Sequence, residues 1–400
     1  MQKKKKKTNA LVLAVAFCFV LVSLVQAGPG DRKLKGYIHK GTVKTNGFVD
    51  PSQSITDTSK LRVLPSDDGF QLTDSEKGNF EWWYFDVIDS NTGCILKLVA
   101  HLGTDPLRRR FFPQLAISIR TPTKIQSFIR PYSLRDFSAS SDFCDVRMKD
   151  EFHAFVESPG KDNLYHLTVN INGFSANLTF IPEIEGWKPL GDKVNINIGR
   201  KKGAFSWIIP VPRAKVVGEF SLGKEKYELK EAFGYHDHNY WKVDVRKKLF
   251  MDDVISKWYW GRFLSKDYTI IFMDTYVMGH PIKSLMIAKQ DKIIHSSNNL
   301  IEVFADEMKK DDQIKTLYPS RITIKSVEEN NPFQMILKSK EIIEKRDLLQ
   351  GVNPFIKWLI KLLVAKPAYY GILAESSINI ADEEIRGMAL YEVMSFRSKN

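Results

Sequence analysis

Phe233-Gly234-Tyr235-His236-Asp237-His238-Asn239-Tyr240-Trp241 places four consecutive side chains that carry or bind protons inside an aromatic frame. Read as a strand, it turns His236 and His238 to one face and Asp237 and Asn239 to the other. Packing alone does not demand so many polar groups among aromatics. The combination suits an apolar cavity with a few placed donors and acceptors. A second run, Glu81-Trp82-Trp83-Tyr84-Phe85, alternates in the same way, with Trp82 and Tyr84 on one face and Trp83 on the other. By default these aromatics are core.

Around these tracts the chain reads as strands. From Phe80 onward, short aromatic and β-branched segments are separated by Gly, Pro, Asn or Asp, among them Trp82–Ile88, Cys94–His101, Ala214–Phe220, Trp258–Leu264, Thr269–Tyr276 and Leu390–Phe396. Many short strands without helical crossovers predict an all-β chain of antiparallel sheets, with few short helices. The length suits two such units, and the charged stretch 242–253 is a plausible seam. The expected division is 1–27, a leader; 28–60, an extended lead-in; 61–245 and 246–400, the two β units. Residues 354–365, Pro-Phe-Ile-Lys-Trp-Leu-Ile-Lys-Leu-Leu-Val-Ala, are the exception. Lys357 and Lys361 share one polar stripe on an apolar helix, which either packs across a barrel end or lies on a membrane surface.

Lys3 to Lys7, the apolar run Ala10–Leu24 and Val25-Gln26-Ala27 before Gly28 form an export signal pattern. Cleavage near Ala27-Gly28 and a periplasmic or secreted destination are expected, with membrane association as a further option. Five of the +12 formal charges are Lys3 to Lys7, so the mature chain carries +7. That mild excess argues against nucleic acid as a partner and is compatible with an anionic membrane surface. Cys18 lies in the leader. Cys94 and Cys144 remain, enough for one disulfide but not for a disulfide framework or a CxxC metal site. Asn177-Leu178-Thr179 is a glycosylation sequon.

The aromatic run at 81–85, the Gly-Tyr-His-Asp-His-Asn tract, Trp258-Tyr259-Trp260-Gly261-Arg262-Phe263, and the closing segments Ala368-Tyr369-Tyr370-Gly371 and Gly387-Met388-Ala389-Leu390-Tyr391-Glu392 follow one another in a telling order. Over roughly residues 65–396 the chain resembles the carotenoid 1,2-hydratase (hydroxyneurosporene synthase) and AttH-like family. The resemblance implies two tandem lipocalin-like β-barrels. It also implies cofactor-independent chemistry on polyenes, terpenoids or polyketide-like molecules. The hydratase pattern pairs a His-x-aromatic element with a later aromatic-x-Asp element, matched here by His238-Asn239-Tyr240 and Phe272-Met273-Asp274. Tyr240 stands where that pattern has Trp, and Phe272 where it has Tyr.

Hydrating an isolated alkene needs a strong proton donor and stabilisation of a carbocation. A carboxyl held in an apolar strand stays protonated because desolvation disfavours its anion. Asp274 is the candidate acid, with capping of a strand end as its other reading. His238 would orient or deprotonate water, with Tyr240 beside it. Trp82, Tyr84, Trp258 and Trp260 would stabilise a cation through their faces, and His236 and Phe272 complete the expected substrate wall. Asp237 and Asn239 are equally suited to holding the seam between the units through backbone hydrogen bonds. His236 and His238 could share a metal only with a third ligand such as His101 or Asp274, so neither metal nor cofactor is expected. The expected function is therefore hydration, isomerisation or cyclisation of a polyene, terpenoid or lipid-like molecule. A non-catalytic carrier of such a molecule is the alternative, and a structural envelope protein a third reading.

Overall fold

The computed structural model describes residues 43–44, 62–72, 78–104, 111–191, 193–198, 201–243, 255–277, 280–328, 332–349, 367–380 and 383–395. The leader and the 354–365 segment lie outside them. Two antiparallel sheets account for nearly all of it, and the only helical turns among the described residues are the 3-10 segments Pro65–Asp67 and Leu134–Asp136.

The two sheets share one wiring plan. In the first, the opening strand Phe80–Asp89 pairs with the late strand Glu225–Val243, and the sheet edges are the consecutive strands Ile125–Pro131 and Phe137–Ala139. In the second, the opening strand Ile255–Leu264 pairs with the last strand, Glu383–Ser395, and the edges are Lys292–Asn298 and Ile301–Lys310. Each sheet thus curls until its edges come from neighbouring segments, which shortens the exposed edge problem that open sheets carry. The first sheet ends at Val243 and the second begins at Ile255. Within the lead-in, Val43–Lys44 pairs with Val194–Ile198 on the first sheet.

Each curled sheet encloses its own core. Trp83, Phe85, Leu98, Ile117, Leu167 and Phe180 belong to the first; Phe263, Ile270, Phe272, Leu337, Tyr370 and Tyr391 to the second. A third cluster joins the two sheets face to face and contains Tyr84, Trp187, Trp207, Tyr235, Trp241, Trp258, Trp260 and Met273. This double burial explains the composition of the central strands. Residues 80–89 and 255–264 are buried on both faces, so they read as near-continuous apolar runs. Leu164–Ile171, with one face in water, keeps the simple alternation of a half-buried strand. Burying one such Phe or Leu side chain is worth about 1.5–3 kcal/mol.

Local irregularities have local causes. Pro210 and Pro212 sit in the long strand Lys201–Leu222, where the register shifts between Ile208, Val211 and Ala214. A proline gives no N–H to the ladder, so the strand bulges there and bends over the inter-sheet face. Gly261 has no room for a side chain: a Cβ would come 2.7 Å from the Phe272 ring and 2.9 Å from Tyr391 Cβ. Its smallness lets the Phe272 ring pack close to the Gly261 backbone in the second barrel's core.

Candidate functional site

The histidine-bearing strand separates two environments. Its even-numbered face looks into the first barrel. There His236 stacks on Phe85 at 4.0 Å and His238 on Trp83 at 4.7 Å. His236 Nδ1 meets the Tyr84 carbonyl at 2.9 Å, and its Nε2 lies 3.0 and 3.1 Å from the two carboxylate oxygens of Asp68. Tyr165 donates its hydroxyl to the same carboxylate at 2.8 Å. His238 meets Glu81 Oε1 at 2.8 Å and the Asp67 carbonyl at 2.9 Å. Glu81 also accepts the backbone N–H groups of Gln71 and Leu72. Every one of these side chains is buried. The two histidines therefore pin the irregular segment 64–72 across the barrel. Burial opposes a charge on His238, yet the Glu81 hydrogen bond and charge, helped by Asp68, raise it above the ordinary histidine value.

The odd-numbered face looks at the second sheet. Asp237 Oδ2 accepts from the Tyr235 hydroxyl at 2.7 Å and from Trp207 Nε1 at 3.1 Å, and Oδ1 accepts from Asn239 Nδ2 at 2.7 Å. All three partners are neutral. Desolvation pushes Asp237 up to about 7, so the protonated acid is within reach near neutral pH.

Asp237 and Asn239 line a cavity of about 250 Å³ between the two sheets. Trp82, Tyr84, Trp258 and Trp260 form its aromatic wall. Two buried polar atoms on this wall, Asn239 Oδ1 and Trp260 Nε1, have no partner among the described residues. The opposite wall is ionic. Lys97, from the first sheet, reaches Glu344 Oε2 at 2.5 Å and Glu392 Oε1 at 2.8 Å, and also donates to the Tyr369 hydroxyl. Tyr369 donates to Glu392 Oε1 at 2.5 Å, and Arg346 pairs with Glu344. Burial works against the Glu344 anion, but Lys97 and Arg346 hold it at about 2. His101 and Gln114 stand alongside, and burial together with the Arg346 charge pushes His101 down to about 4, so it is neutral. Beneath the aromatic wall, Tyr84 donates to Asp86 at 3.1 Å, and Asp86 is ion-paired with the wholly buried Arg262 of the second sheet. The cavity is thus a joint product of both sheets, each of which contributes lining residues.

No family model matches the chain. A hydroxyneurosporene dehydrogenase of Chlorobaculum tepidum is 24% identical over 235 residues, 50% of this chain and 58% of that protein, so the match spans little more than half of the curated relative. Solved structures extend the similarity over most of the chain. CghA with bound Sch210972 matches with a TM-score of 0.57 at 10% identity, covering 90% of this chain and 99% of that one. A putative AttH from Nitrosomonas europaea matches at 0.58 with 11% identity, over 88% and 100%. Kievitone hydratase from Nectria haematococca matches at 0.50 with 13% identity, over 86% and 96%. The chain shares the tandem lipocalin-like fold of the carotenoid 1,2-hydratase and AttH-like proteins. At these identities the structural likeness speaks for the fold alone.

On this AttH-like frame the residues singled out in the sequence divide. Trp82, Tyr84, Trp258, Trp260, Asp237 and Asn239 meet at one cavity. His236, His238 and Tyr240 lie on the opposite face of their strand, and His236 is not part of the cavity wall, because successive strand residues point to opposite faces. Phe272 is in the second barrel's core for the same reason. Asp274 shares its face: it is buried, neither oxygen accepts a hydrogen bond from a described residue, and Lys257 Nζ stands 3.9 Å away. Asp274 and His238 therefore do not share a cavity. The expected acid–histidine pair is not formed, since each points into the interior of its own barrel. Asp237 and Asn239 do not bond backbone across the seam either; their partners are side chains of the first sheet. Cys94 and Cys144 are free thiols.

Lys97, Glu344, Arg346, Tyr369 and Glu392 were not anticipated. The signal was present in part. Lys97 interrupts the apolar run Cys94-Ile95-Leu96-Lys97-Leu98-Val99-Ala100, and Tyr369 and Glu392 belong to the closing motifs themselves. A lysine inside so apolar a strand is rare unless it is paired. Nothing local shows that its partners lie nearly 250 and 300 positions away.

Proposed function

We propose that this chain is an exported, cofactor-independent catalyst of hydration, isomerisation or cyclisation, acting on an apolar, alkene-bearing substrate in the inter-sheet cavity. One observation carries the reading: Asp237, a buried carboxyl bonded only to neutral groups, faces a cavity walled by Trp82, Trp258 and Trp260. A carboxyl in that setting is a general acid of useful strength near neutral pH.

In hydration, protonated Asp237 gives its proton to one alkene carbon. A C–H bond forms as the π bond breaks, and the cation left on the neighbouring carbon rests against the indole faces. Water adds to that carbon, and its surplus proton returns to the Asp237 carboxylate. Loss of an adjacent proton to the Asp237 carboxylate in place of water addition gives the isomer; attack by a second alkene closes a ring and moves the cation, which then loses a proton to the same carboxylate. A kievitone hydratase is built on the same fold, so the frame is compatible with this chemistry, and the Lys3–Lys7 leader supports export.

The test is incubation of the purified chain with an acyclic carotene and with a farnesyl-type terpenoid in isotopically labelled water, followed by mass spectrometry. A product heavier by one labelled water supports hydration. A new isomer or ring of unchanged mass supports the other two branches. A molecule retained by the protein but recovered unchanged would replace the catalyst with a carrier.

A further inference from the structure

The cavity has two unlike walls, and only one of them suits a hydrocarbon. We infer that the substrate carries a neutral hydroxyl or carbonyl oxygen, which is bound at the wall formed by Lys97, Tyr369, Glu392 and Arg346. This rests on the proposed function for the location of the site and adds the class of molecule.

The groups differ in reach. Lys97 and Glu344 keep 4% and 1% of their side chains exposed, whereas Glu392 and Arg346 keep 14% and 28%. All four line the cavity, and the last two keep the most accessible surface to offer a ligand. A bare hydrocarbon pressed against them would strip water from charged groups and return no hydrogen bond. The charges also balance, with Lys97 and Arg346 against Glu344 and Glu392. A carboxylate ligand would add an unmatched anion beside Glu392. A hydroxyl fits without that conflict, because it can accept from Arg346 and donate to Glu392. Both Lys97 and Tyr369 bond Glu392 through Oε1, and no described residue bonds Oε2. The ligand oxygen would thus sit across the cavity from Trp82, Trp258 and Trp260, which receive the apolar skeleton.

Three probes with one skeleton decide the matter: farnesene, farnesol and farnesoate, titrated against the fluorescence of the cavity tryptophans. Farnesol is expected to bind at least about ten-fold more tightly than farnesene, in keeping with one or two good hydrogen bonds, although farnesene is the more hydrophobic. Glu392→Gln and Arg346→Gln are each expected to shrink that preference to below about three-fold while farnesene still binds, which also shows that the cavity is intact. Glu392→Gln should in addition improve farnesoate relative to farnesol, because it removes the opposing charge. Equal binding of farnesene and farnesol in the wild type overturns this inference and leaves the proposed chemistry standing. Tightest binding by farnesoate overturns it as well. Quenching by none of the three would remove the cavity on which both readings rest. If a variant loses farnesene binding, the other variant and the wild-type ratio still decide.

Discussion

Lys97 Nζ of the first sheet lies 2.5 Å from Glu344 Oε2 of the second, with both side chains almost fully buried. The pair is a bolt between two separately cored barrels, and it forms one end of the cavity between them. Removing one partner of a buried pair leaves a charge with neither water nor a counterion. Lys97→Met is therefore expected to destabilise the fold by about 3–5 kcal/mol in urea titration. The double variant Lys97→Met with Glu344→Leu should recover much of that loss, and failure to do so would show that the pair does not bind the sheets together.

Glu344 also sets an acid limit. Its carboxyl is held at about 2 against an ordinary 4.5, so the folded state favours the anion. A depressed carboxylate contributes stability above its unfolded value and loses it as pH falls toward the folded one. Thermal midpoints should drop between about pH 4.5 and 2, and Glu344→Gln should flatten that slope.

Asp237→Asn is expected to lower turnover by about 10²-fold or more, since an amide keeps the shape and gives up no carboxylic proton. Wild-type rates should fall as pH rises through about 7, where Asp237 loses its proton. The substitution should affect stability in the opposite sense to turnover. A carboxyl raised from 3.8 to about 7 weakens the fold progressively across that interval, so removing its charge should leave the melting temperature at pH 8 unchanged or higher. A variant that melts much lower and retains full activity would make Asp237 a structural residue.

His238 should behave as a structural group. Its value is raised above 6.5 by Glu81, so the charged pair supports the fold below the unfolded value and that support is lost as pH rises through the raised one. The stability gap between wild type and His238→Gln should be widest below about pH 6.5 and narrow above it, as followed by circular dichroism. A gap that does not depend on pH would mean that the His238–Glu81 contact is not ionic.

Asp274 makes a contrasting case. Burial raises its carboxyl despite Lys257 and Lys283, and no described residue hydrogen-bonds it. Asp274→Asn should leave turnover within about three-fold of wild type and raise the melting temperature at neutral pH, because an ill-solvated charge disappears. Abolished turnover with intact ligand binding would restore Asp274 as the acid.

Strand identity was legible because it is local. Runs such as Trp258–Leu264 and Thr269–Tyr276 announce themselves by aromatic and β-branched content, and both lie within observed strands, while the last run, Leu390–Phe396, is a strand as far as Ser395, where the described residues end. The face sorting of residues 236–239 was equally legible, since a pleated strand admits no other arrangement. What the alternation could not tell is which face looks where. A strand buried on both sides offers two apolar directions, one into its own barrel and one toward the partner sheet. Only the packing of the two sheets sends Asp237 and Asn239 to the shared cavity and His236 and His238 into the first barrel's core. The same packing turns Asp274 away from the cavity that its apolar strand suggested. The ionic wall was still further from view, because Lys97, Glu344 and Glu392 become neighbours only when two sheets, each closed by its own core, meet face to face. Sequence by itself determined the strands, their faces and the tandem β organisation, for those follow from chemistry within a few residues. The site was decided by tertiary structure, because it exists only in the contact between two surfaces that no local pattern relates.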